Sequence, residues 1–123
     1  MEMKNRLDYI GEKIILGVRD ETMLSFERIL DGDMKSTTAL QIREKINDFT
    51  NEQLGVLKWL MLKVIDMELH NFLTLIEENE DIKLIVVDNK NKIFDVKENS
   101  DGLAGELYTS DGWINKYSNI KTT

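Results

Sequence analysis

The sequence contains no cysteine, no proline and a single histidine, His70. Without cysteine there can be no disulfides, thiolate nucleophiles, iron–sulfur clusters or Cys-based zinc sites. One histidine excludes any site that needs two. No run of 18 apolar residues occurs, so no membrane-spanning segment is expected. The opening stretch, residues 1–13, is charged and has no apolar stretch of the kind a secretory signal needs. A cytoplasmic location is the expectation. Positive charge is scarce: 16 basic residues face 23 acidic ones, giving a net charge of -7. Phosphate-backbone binding and docking on an anionic membrane both depend on cations, so neither nucleic acid nor membrane is expected as a partner.

What remains is a chain of 123 residues with 41% hydrophobic content. That length suits one domain with its own core, expected over residues 1–123. Residues 1–78 read as a helical part. Leu7, Ile10, Ile14 and Val18 recur three or four apart, and Phe26, Ile29 and Leu30 continue the pattern. The spacing fits one bent helix or two abutting ones with Asp20 as a cap, and both remain open. Gly32 is placed for a left-handed stop. Thr38, three residues before Gln41, has capping-box spacing, and Thr50 with Gln53 repeats it. A long helix is then expected from Asn51 to about Glu78. Its assigned stripe is Leu54, Leu57, Met61, Val64, Ile65, Phe72 and Ile76. At 1.5 Å per residue it would run roughly 40 Å. One short neighbour could not cover that length, so two partner elements or a second subunit must do so.

Residues 82–118 read as a β-hairpin and loop-rich part. Ile82–Val87 is β-branched, residues 88–91 are turn-forming, and Lys92–Val96 returns. Glu106–Thr109 suggests a third short strand, and Trp113, Ile114 and Tyr117 suggest a last helical turn. The tail after Ser118 is polar and expected to fray. The expected fold class is α+β: a bundle of three or four helices with a carboxyl-terminal β-hairpin.

Few residues suggest chemistry. Asp66, His70 and Glu77 share a helix flank, which would suit acid–base work or a metal, but equally an ordinary surface pair. Nucleophile elbows, phosphate loops and calcium-loop spacing are missing. The expectation is therefore a protein that is not an enzyme and needs no cofactor or metal. The acidic run Glu77, Glu78, Glu80 and Asp81 reads either as a solvated connector or as a face for a cationic partner. Residues 77–123 hold ten acids and six bases, so this third carries -4 of the total -7. Tyr108 and Trp113, in a glycine-rich stretch, are candidate partner anchors; the alternative is that they seal the core.

The size, acidity and layout, with the phrases Leu40–Ile46 and Gly105–Ile114, resemble the small acidic bacterial immunity proteins of polymorphic toxin systems. That resemblance implies a protein-binding module that neutralises a basic toxin domain and does no chemistry itself. The alternative reading is a self-associating structural or adaptor module, a homodimer through the long helix.

Overall fold

The computed structural model describes residues 3–120, with side chains from residue 6 onward. The first helical segment is one uninterrupted rod. Helix α1 (Met3–Ile14) passes through a π-helical turn (Ile15–Asp20) into α2 (Glu21–Asp31). Asp20 keeps helical dihedrals and makes no capping bond, so it does not start a second helix. The wide turn has a packing consequence. It lets the sequence neighbours Arg19 and Asp20 both face inward, together with Ile15. Gly32 stops the rod as expected, at φ 84°, a left-handed conformation that costs glycine little.

Helix α3 (Thr37–Lys45) begins one residue before the expected cap. Ser36, not Thr38, accepts the Ala39 amide at 3.2 Å. Helix α4 (Asn51–Glu78) opens on the expected capping box, with Thr50 and Gln53 exchanging bonds of 3.1 and 2.8 Å. Its buried face differs from the expected stripe. Leu62, Ile65, Leu69, Leu73 and Ile76 are inside, whereas Val64 and Phe72 are exposed. Apolar residues lie nearly all round this helix, so several stripes fit the period. The packing partners choose among them.

Strands β1 (Ile85–Val87) and β2 (Ile93–Asp95) form the expected antiparallel hairpin, with Val86 opposite Phe94. Val86 and Phe94 turn toward the core, and Ile85, Val87 and Ile93 turn outward. Asp88 organises the turn by accepting the amides of Lys90 and Lys92 at 2.8 and 2.9 Å. The expected third strand is instead a 3-10 turn, Ala104–Leu107. Ala104 and Leu107 are both buried, three residues apart, which is the period of that turn rather than of a strand. Helix α5 (Trp113–Tyr117) follows as expected.

The architecture is mostly helical with one hairpin near the carboxyl terminus, an α+β fold. Its main core joins Ile15 of the rod, the second half of α4, Phe94, Val96, Leu103, Leu107 and Trp113. A smaller cluster gathers Met23, Leu62 and Ile65, with Ile120 packed on it. Residues of α4 before Met61 contribute nothing fully buried. Among the described residues no helix is long and apolar enough to cross a membrane.

Candidate functional site

The residues with chemical potential on α4 bind three different partners. Asp66 binds Arg19, at 2.6 Å to the guanidinium Nε and 3.3 Å to a second nitrogen. His70 Nδ1 lies 2.9 Å from the Tyr108 hydroxyl. Glu77 accepts the Ala104 amide at 3.2 Å and so holds the loop that crosses the helix end. Among the described residues no three His, Asp or Glu side chains gather as a metal-binding group.

Arg19 is the centre of a network that sequence reasoning missed. Its side chain is 1% exposed. Besides Asp66, it donates to Asp20 at 3.3 Å, to the Ser118 hydroxyl at 2.8 Å and to the Ile120 carbonyl at 2.7 Å. Asp20 in turn accepts from the Ser118 hydroxyl and the Asn119 amide, both at 2.7 Å. Residues 118–120 are therefore tied into the interior, in place of the fraying expected after Ser118. Residues 121–123 lie outside the described residues. The one signal in the sequence is spacing: Arg19 stands four residues from both Ile15 and Met23, a charge at a core position.

The proposed partner residues fall into three situations. Glu78, Glu80 and Asp81 are exposed where α4 ends, as is Glu77. That end is balanced from within by Lys97, whose ammonium donates to the carbonyls of Ile76, Asn79 and Ile82 at 2.9, 2.7 and 3.0 Å. A cation there satisfies the orphan carbonyls of a helix whose last turn has no basic residue. Tyr108 is exposed beside His70, with ring centroids 5.8 Å apart. Burial of the phenol, and then the negative charge of Asp66, hold its pKa above the usual value. Trp113 is not on the surface. It is 2% exposed, and its indole lies so close to Gly11 that a β-carbon there would collide with it. Of the two readings of Trp113, the structure shows the core one.

A further exposed feature is apolar and lies elsewhere. Outside the buried stripe of α4 stand Val56, Trp59, Leu60, Val64, Met67, Phe72 and Leu75, between 41% and 61% exposed. Val56, Leu60 and Val64 form one row four residues apart, and Met67, Asn71 and Leu75 form a second. Trp59 and Phe72 flank the rows. Beside the second row runs a groove of about 760 Å³, walled by Ile14 and Val18 of the rod and by Phe72 and Leu75. A second groove of about 590 Å³ lies at the start of the helix, between Phe49 and Leu60. The geometry offers a long contact face rather than a convergent set of reactive groups. The chain matches no protein-family model, no curated protein and no solved structure.

Proposed function

We propose that this protein is a cytoplasmic protein-binding module that performs no chemistry of its own and uses the outer face of α4 as its principal contact surface. The observation that carries this reading is the set of seven large apolar side chains exposed on one helix. A helix apolar on both faces is ordinarily covered on both, and contiguous exposed apolar surface of this kind marks an interaction site. The acidic end at Glu77–Asp81 adds a steering charge for a partner with a basic surface. That combination suits a regulatory protein or a toxin-neutralising immunity protein, the class the sequence resembles. Tyr108 would contribute an aromatic contact near the same end.

The test is photo-crosslinking in cells with a reactive phenylalanine analogue at position 56, 60, 64 or 67, against the same probe at exposed Glu44 on α3. A protein adduct is expected from the α4 positions and not from position 44. Absence of any adduct from all four α4 positions would refute the reading.

A further inference from the structure

We infer that the occupant of the α4 outer face is a second copy of this chain, lying antiparallel about a two-fold axis that passes between Val64 and Met67. The inference rests on the reading of α4 as a protein-contact surface and adds the identity of the partner. Three observations carry it.

The first is self-complementarity, which any two-fold interface requires. The steps along the face, from Val56 through Leu60, Val64, Met67 and Asn71 to Leu75, are four, four, three, four and four residues. The order reads the same in both directions. Turning a copy end for end therefore sets Val64 beside the copy's Met67, Leu60 beside its Asn71 and Val56 beside its Leu75. Steps of three and four suit the packing in which helices lie about 20° from antiparallel and stay in contact along their length. The second is area. The two aromatic side chains, about half exposed, and the five aliphatic ones together leave on the order of 400 Å² of apolar surface per copy. A standard specific interface takes about 800 Å² per partner, of which somewhat over half is apolar. The third is charge. Beside the rows the ionisable residues Lys63 and Glu68 lie equally far from the axis, so antiparallel docking sets each near the opposite charge on the copy. Antiparallel docking also keeps the two acidic ends, Glu77–Asp81, at opposite ends of the pair, where a parallel arrangement would bring them together. Each carboxylate-rich end then lies near the amino-terminal end of the other α4, which favours negative charge.

Sedimentation equilibrium of the full chain should give twice the 14.3 kDa chain mass. Added salt should leave the association unchanged or strengthen it, because two chains of charge -7 repel. Val64→Asp should weaken it at least 100-fold while the far-ultraviolet circular dichroism of the monomer is retained. Should that variant misfold, orientation supplies an independent test in a chain that has no native cysteine. In an antiparallel pair the two copies of residue 60 sit about 16 Å apart along the axis, at 1.5 Å per residue. That is beyond the roughly 7 Å Cα separation a disulfide can span. Leu60→Cys alone should not cross-link on oxidation, but mixed with Asn71→Cys it should give a disulfide dimer. Cross-linking by Leu60→Cys alone would overturn the antiparallel arrangement. A monomer at hundreds of micromolar would overturn the inference. In that case an adduct from position 64 to a different protein would leave the contact-surface reading intact, and no adduct would remove both.

Discussion

Phe72 and Leu73 are neighbours in sequence, and the structure forecasts opposite fates for them. Leu73 is 0% exposed, held between the rod and the carboxyl-terminal elements. Phe72 is 54% exposed on the wall of a groove. Leu→Ala at a site that cannot collapse typically costs about 3–5 kcal/mol, lost transfer energy plus a cavity term. A domain of this kind has ~5–15 kcal/mol in all, so the loss is a large share of it. Full burial of a phenylalanine stabilises by ~1.5–3 kcal/mol, and half of that remains at stake in Phe72, about 1 kcal/mol. For a chain of this length each kcal/mol moves Tm by about 3–5 °C. Leu73→Ala should therefore lower Tm by about 10–25 °C and Phe72→Ala by about 4 °C. Thermal and urea melts followed by circular dichroism would measure both. They should be run at the lowest workable concentration, since association would add stability by mass action. Equal losses, or a larger loss from Phe72→Ala, would refute the assignment of the buried face and with it the outer face on which the functional reading stands.

Arg19→Met should cost about 3–5 kcal/mol in urea melts, because it strands the carboxylates of Asp20 and Asp66 without their cation. Arg19→Met combined with Asp66→Leu should recover part of the loss, and an unchanged midpoint for the single variant would count against the network as a structural element. Asp88 has a pKa below its usual 3.8, held there first by the Lys92 amide, then by the Lys90 amide and the Arg6 guanidinium 2.8 Å away, against the opposing effect of burial. A depressed folded pKa contributes stability above the unfolded value, and that contribution is lost as pH falls through the folded one. The contribution should therefore be intact above about pH 4 and vanish below it. Asp88→Asn should flatten that part of the acid melt, and an identical acid profile would show the hairpin turn to be indifferent to this charge.

The sequence carried the local signals well and the long-range ones poorly. Thr50 with Gln53, Gly32 and the 88–91 turn were legible because each depends on residues three or four positions away. The phase of α4 was not, because apolar residues surround it and only the packed elements decide which face is inside. Glu106–Thr109 misled for a related reason: a short segment with Leu107 and Tyr108 side by side fits a strand or a 3-10 turn until it is known that Ala104 and Leu107 are the pair buried. The Arg19 network and the Lys97 bonds join positions 47 and 99, or 15 to 21, residues apart, and no local pattern encodes such pairs. The charged candidates Glu78, Glu80 and Asp81 were placed on the surface by composition alone. Trp113 could not be, since an indole suits a core as well as an interface.

The bond from Arg19 to Ser118 spans 99 positions. During synthesis at about 5–20 residues per second, the amino-terminal rod would wait roughly 5–20 s for that partner to leave the ribosome. Asp66, 47 positions on, supplies Arg19 with a carboxylate earlier. The Ser118 hydroxyl, the Asn119 amide and the Ile120 carbonyl come last, so Arg19 and Asp20 gain their full set of hydrogen bonds only when residues 118–120 are free to fold back on the rod.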